Sequence, residues 1–226
     1  MTIKAVIFDL DGTIVNFNLD YKAVRADVIQ FLTKRGFPSS TLSVNESIFE
    51  MLKKAEIYMR NKGEENQHII KVKEDALSLA SRHELEAAQS TSLMPGVLEA
   101  LKELRKMGLR TALFTVNGEK STSYILRCFR LKRFFDAVIT REHVCAVKPD
   151  PAHLEDVLKT LGVEPEEAIV VGDGTGDMKC AKELGVVAVG MTTGISSPEE
   201  LTRAGATYLV SSFTELLTLI QKLTER

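Results

Sequence analysis

The sequence predicts an α/β protein, a Rossmann-like, mostly parallel sheet core with an inserted α-helical segment. Short apolar runs recur along the chain, and most are followed by a stretch of helical period. Two of these runs end abruptly in acidic, glycine-bearing turns, as buried parallel strands do where they reach solvent. Between the first run and the second lies a long stretch with helical patterns only, which places the insertion at residues 16–90 and the core at 1–15 and 91–226.

The first strand is Ala5–Phe8. In the insertion, Gly36-Phe37-Pro38-Ser39-Ser40 and Asn61-Lys62-Gly63 are breaks, and Ser43-Val44-Asn45-Glu46 reads as a capping box opening a helix through about Met59. After Pro95-Gly96, Leu98, Leu101, Leu104 and Met107 mark one apolar helix face, which Gly108 stops. Strands are expected at 111–114, Ala137–Ile139, 169–171 and 186–189, with Tyr208–Val210 as an edge strand. Asp150 as N-cap and Pro151 at the first helical position open a helix that closes at Gly162. Ser197-Pro198-Glu199-Glu200 and Ser212-Phe213-Thr214-Glu215 both fit capping boxes.

Hydrophobic residues make up 44% of the chain and charged residues 27%, the balance of a folded, soluble protein. A net charge of -2, with bases and acids interspersed, gives no footprint for nucleic acid or an anionic membrane. No apolar run reaches membrane-spanning length, and Met1-Thr2-Ile3-Lys4 leads straight into a strand, without a secretory signal. Cys128, Cys145 and Cys180 form no CxxC pair and are expected to be buried free thiols, so a cytoplasmic setting is expected. His68, His83, His143 and His153 share no ligand spacing and are expected as surface or helix residues.

The chemistry concentrates at the strand ends. Asp9-Leu10-Asp11-Gly12-Thr13 closes the first strand, and extended geometry can turn both carboxylates to one side. Such a pair repels itself unless a cation compensates. A turn alone would explain Gly12 but not two acids abutting an apolar strand. Gly172-Asp173-Gly174-Thr175-Gly176-Asp177 follows a later strand, and right-handed crossovers bring the carboxyl ends of parallel strands to one edge. Hard oxygen donors without His or Cys suit Mg²⁺. Thr115, the backbone N–H groups after it, and Lys148 beside Pro149 offer phosphate-binding groups at two further strand ends. The glycines at 172, 174 and 176 lack the spacing of a dinucleotide loop, and Asp173 would repel a pyrophosphate.

Taken together, Asp9-Leu10-Asp11-Gly12-Thr13, Thr115, Lys148-Pro149 and Gly172-Asp173 through Asp177 resemble the four motifs of the haloacid dehalogenase superfamily, in order and over most of the chain. The resemblance implies a Mg²⁺-dependent phosphatase of small-molecule phosphate monoesters. Asp9 would be nucleophile and metal ligand, and Asp11 general acid/base and a metal ligand through its carbonyl. Thr115 and Lys148 would hold phosphoryl oxygens, Asp173 would complete the metal shell, and Asp177 would bind metal or orient Lys148 or metal-bound water. Many members carry Asn directly after the second-motif Thr; here Val116 stands there, followed by Asn117, so the Val116 N–H and Asn117 are the phosphate-binding candidates, with a plain turn role for Asn117-Gly118 as the alternative. The helical insertion is similar to the cap of phosphoglycolate phosphatase-like members, with Tyr21 and Arg25 as substrate-contact candidates or as an amphipathic face. A phosphomutase using the same aspartyl-phosphate and a non-catalytic nucleotide-binding protein are the alternatives, and the acid at position 11 disfavours dehalogenase or phosphonatase chemistry.

Overall fold

The computed structural model describes residues 2–16 and 18–224. Met1, Phe17, Glu225 and Arg226, which fall within the sequence-expected ranges, lie outside the described residues. Two compact units divide the chain: Met1–Phe17 with Ser90–Arg226, and Asn18–Gln89.

The larger unit is built on β1 (Ala5–Phe8), β2 (Arg110–Phe114), β3 (Ala137–Ile139), β4 (Ala168–Gly172), β5 (Val187–Met191) and β6 (Tyr208–Val210). They form one 6-stranded sheet in the order β3-β2-β1-β4-β5-β6, with every pairing parallel. Every residue of β1 is buried, which is why its sequence reads as a continuous apolar run rather than an alternation. Phe8 stands opposite both Leu113 and Val171, so the three central strands finish almost level and the residues after them emerge at one edge.

Alternate strand residues serve the two faces. Ala5, Ile7, Ala112, Phe114, Ala168 and Val170 pack with buried residues of α6 (Ala152–Leu161), α7 (Thr175–Leu184) and α8 (Pro198–Ala204). On the opposite parity Phe8 meets Phe213, the first residue of α9 (Phe213–Thr224), at 6.3 Å between ring centroids, and α9 packs on α4 (Val97–Lys106). Burying each such large side chain contributes about 1.5–3 kcal/mol, so the strand edge that carries the polar residues rests on a continuous core.

Helix boundaries depart from expectation in instructive ways. The buried stripe of α4 is Val97, Ala100, Leu101 and Leu104, while Leu98 and Met107 are only half-buried. The Asp150 carboxylate accepts the Ala152 N–H at 3.0 Å, the bond expected of it as a cap, although the helix starts one residue later than expected, with Pro151 in the N-cap position of α6. Ser197 and Glu200 form the expected reciprocal box. Ser212 caps the Glu215 N–H at 3.2 Å, but Glu215 reaches back to Ser211 instead of Ser212.

The smaller unit contains α1 (Tyr21–Lys34), α2 (Ile48–Asn61) and α3, which runs to Ser90 from Asn66. Its own core joins Val28, Leu32, Phe37, Met51, Leu52, Ala55, Met59, Ile69, Val72 and Ala76. The helix expected from Ser43 begins later: Ser47 and Glu50 make the reciprocal box, while Glu46 returns to the Ser43 N–H at 2.8 Å within a turn. Two Ser-x-x-Glu patterns stand in succession, and the second directly precedes the buried Met51, Leu52, Ala55 and Met59, so burial selects it.

Among the described residues no helix is long and apolar enough to cross a membrane. All three cysteines are free; Cys180 is buried as expected, but Cys128 and Cys145 are exposed. Cys128 ends α5 (Glu119–Cys128), whose buried residues are Ser121, Thr122, Ile125 and Leu126, so the thiol falls off that stripe.

Candidate active site

At the carboxyl edge of the sheet, Asp9 leaves β1, Asp173 and Asp177 follow β4, and their carboxylate oxygens lie within 4.8 Å of one another. All three residues are buried. One ammonium answers them: Lys148 Nζ donates to Asp9 Oδ1 and Asp177 Oδ1, each at 2.6 Å, and to the Phe114 carbonyl at 3.2 Å. The same ammonium sits 4.1 Å from the centre of the Phe114 ring. The ends of β1 and β2, the first turn of α7 and the loop before α6 therefore meet through a single side chain.

Burial raises the Asp9 carboxyl well above its ordinary range; Lys148 opposes this, and repulsion from Asp177 and Asp173 adds to it. Asp173 is pushed up to about 6 by burial and by Asp177, against the Ile195 N–H and Lys148. Burial alone would lower the Lys148 pKa, but Asp177 and Asp9 outweigh it and hold the ammonium above its ordinary value. Three carboxylates against one ammonium leave a local excess of negative charge.

The oxygen-only donor set and this charge excess fit Mg²⁺. Asp9 and Asp173 are the residues that would hold it. Asp177 completes the acidic group that could hold it; its Oδ1 also accepts from Lys148 and its Oδ2 accepts the Gly174 N–H at 3.1 Å, so it orients Lys148 as well. Asp173 is itself fixed by the Ile195 N–H at 2.8 Å and the Thr13 hydroxyl at 3.3 Å. Gly12 passes so close, with φ 74°, that any side chain there would overlap the Asp173 carboxylate.

The Asp11 carboxylate is not part of the three-acid cluster; it accepts the Asn117 side-chain amide at 2.6 Å. Asn117 thereby meets Asp11, a contact the sequence did not suggest. Its backbone N–H donates to the Thr115 hydroxyl oxygen at 3.1 Å and its side chain serves Asp11. The Thr115 hydroxyl, buried at the end of β2, and the Val116 N–H, which has no acceptor among the described residues, are the groups of this turn left for an anion.

Tyr21 and Arg25 belong to the helical unit and are described there alone. The Arg25 guanidinium lies 4.6 Å from the centre of the Tyr21 ring and donates to the Val44 carbonyl at 3.0 Å, the arrangement of a local amphipathic face.

Three features escaped the sequence reading. Arg141, two residues beyond β3, is buried and donates to the Val116 carbonyl at 3.1 Å. The loop after β5 brings the Ile195 N–H to Asp173; its position beyond a parallel strand end was the available signal. His153 lies on a helix as expected but is fully buried, its ring 5.4 Å from Phe114, and its Nδ1 accepts the Lys148 backbone N–H at 3.3 Å.

Burial, and then the Lys148 charge, hold the His153 imidazole down to about 3, against the Ile139 backbone. A base whose folded pKa lies below its ordinary 6.5 leaves stability intact above pH 6.5 and removes it as pH falls toward 3, because only the unfolded chain takes the proton. At pH 4.5 this one group is expected to remove about 2–3 kcal/mol. Urea unfolding of His153→Gln against the parent at pH 7 and 4.5 checks this. The variant's stability relative to the parent should rise by that amount on acidification, and parallel pH profiles would contradict it.

Known proteins match this arrangement. The family model of haloacid dehalogenase-like hydrolases matches residues 6–191. Phosphoglycolate phosphatase 1 of Pseudomonas aeruginosa is 30% identical over 222 residues, spanning 95% of this chain and 78% of the relative. Phosphoglycolate phosphatase of Nitrosospira multiformis is 28% identical over 225 residues, spanning 98% of this chain and 97% of the relative. Among solved structures, a hydrolase from Pseudomonas syringae superposes with a TM-score of 0.71 at 26% identity, covering 97% of this chain and 99% of that one. A parallel sheet that gathers Asp9, Lys148, Asp173 and Asp177 at its carboxyl edge, matched by that family model over most of its length, belongs to the haloacid dehalogenase-like hydrolases.

Proposed function

We propose that this chain is a Mg²⁺-dependent phosphatase that hydrolyses small-molecule phosphate monoesters through an aspartyl-phosphate on Asp9. The observation that carries the proposal is the buried Asp9 carboxylate with one oxygen fixed by Lys148 at 2.6 Å, beside the Thr115 turn and Asp173. The names of the phosphoglycolate phosphatase relatives support the same class.

Lys148 holds Asp9 in one orientation, which is the positional requirement for in-line attack on phosphorus. The Thr115 hydroxyl and the Val116 N–H would receive phosphoryl oxygens. Asp11 donates its proton to the departing alkoxide as the P–O bond breaks and the Asp9–P bond forms. It then takes a proton from the water that hydrolyses the aspartyl-phosphate, which restores Asp9 and releases phosphate. Mg²⁺ held by Asp9 and Asp173 would supply charge neutralisation for the anionic ester. The helical unit is the cap in this scheme, with Tyr21 and Arg25 as its candidate specificity contacts.

The test is phosphate release from p-nitrophenyl phosphate and a panel of alkyl and sugar phosphates, phosphoglycolate among them, before and after chelation of divalent ions. Release that stops on chelation and returns with Mg²⁺ is the expected outcome. Release unaffected by exhaustive chelation would remove the metal from the proposal, and a phosphorylated sugar product without free phosphate would move the reaction to mutase chemistry.

A further inference from the structure

We infer that Asn117 is a positioning residue for the acid/base carboxyl of Asp11, and that Arg141 and Glu142 hold Asn117 in the posture this needs. The inference rests on the phosphatase proposal, since it assigns a role within that reaction. Asp11 Oδ2 accepts a hydrogen bond from the Asn117 amide nitrogen at 2.6 Å. With the amide nitrogen on Oδ2, the other carboxyl oxygen of Asp11 is the one left to carry the proton of the acid form. Asn117 is 6% exposed and cannot turn to water in exchange.

The turn bearing Asn117 is clamped from the end of β3. Arg141 donates its guanidinium to the Val116 carbonyl at 3.1 Å and its backbone N–H to the Asn117 carbonyl at 3.4 Å. Glu142 accepts the Glu119 N–H at 3.0 Å and the Thr140 hydroxyl at 2.9 Å. The Asn117 N–H closes on Thr115 from the other side. Four backbone polar groups, in three successive peptide units of the second-motif turn, are thus tied down around a side chain whose free end meets Asp11. An acid that must meet the leaving oxygen within hydrogen-bond reach gains from such a fixed posture, because small misplacements cost rate steeply.

The experiment compares the parent, Asn117→Ala and Asn117→Ser on p-nitrophenyl phosphate and on an alkyl phosphate. Nitrophenolate departs without protonation, whereas an alkoxide needs the Asp11 proton. The kcat/KM for the alkyl ester should fall about 10–100-fold in both variants while that for p-nitrophenyl phosphate stays within about threefold, a fraction of the roughly 10²–10⁴-fold worth of general acid/base catalysis. With p-nitrophenyl phosphate kcat should still fall and a nitrophenolate burst appear, because breakdown of the aspartyl-phosphate also uses Asp11. A merely structural role would lower both esters together through KM. Equal losses on both esters, or none on either, with an active parent, would overturn the inference and leave the phosphatase proposal standing. An inactive parent would overturn that proposal and this inference with it. Asn117→Ser keeps a small polar residue in the turn, so a misfolded Asn117→Ala does not stall the comparison.

Discussion

Replacing Asp9 by Asn is expected to remove turnover, by about 10⁴-fold or more, the scale seen when a nucleophile is lost from a unit that acts together. The amide keeps the shape of the carboxylate but cannot form the acyl phosphate. The fold should survive. Burial and the charges of Asp177 and Asp173 already disfavour the ionised form of Asp9, so a neutral group in its place relieves repulsion. Steady-state phosphate release, with circular dichroism and thermal unfolding as controls, separates the two effects. An Asn variant with even a tenth of the parent rate would contradict Asp9 as the attacking group.

Lys148→Met is expected to have the other large effect, on rate and stability together. It removes the only cation that the described residues place against Asp9 and Asp177. Leaving buried charges unanswered costs about 3–5 kcal/mol, and losing a preorganised donor to a developing anion costs about 10²–10³-fold in kcat. Urea unfolding in metal-free buffer reads the first and phosphate release the second. Saturating Mg²⁺ should recover part of the stability, because a cation between Asp9 and Asp173 offsets the same charge, but not the rate, because the orientation of Asp9 is lost. A Met variant as stable as the parent without metal would show that Lys148 does not carry the charge balance.

The sheet was legible in the sequence because its central strands are buried on both faces: runs such as Ala5–Phe8 leave little choice of element, and observed ends differ by no more than two residues. The acids at 9, 11, 173 and 177 were legible because charge directly after such a run has few structural explanations. What was hidden depends on packing between distant segments. His153 stands four residues before Val157 on the buried stripe of α6, a periodicity that could have placed it inside. The Asn117–Asp11 bond joins β2 and β1 turns 106 residues apart, and Asn-Gly alone reads as an ordinary turn. Arg141 carried no signal of burial, since an arginine is usually exposed; the Val116 carbonyl of the neighbouring turn and the Glu142 carboxylate are among its partners.

The measurement that bears most directly on the central claim is acid-quenched trapping of the phosphoenzyme. The parent and Asp9→Asn would be mixed with p-nitrophenyl phosphate and Mg²⁺ and quenched within milliseconds. Peptide mass mapping would then locate the phosphoryl group. The expected result is an acyl phosphate on the peptide that contains Asp9, absent from Asp9→Asn and accumulating in Asp11→Asn, where its hydrolysis lacks a base. Phosphate release by the parent with no trapped phosphoenzyme, or with the phosphoryl group on another residue, would contradict it.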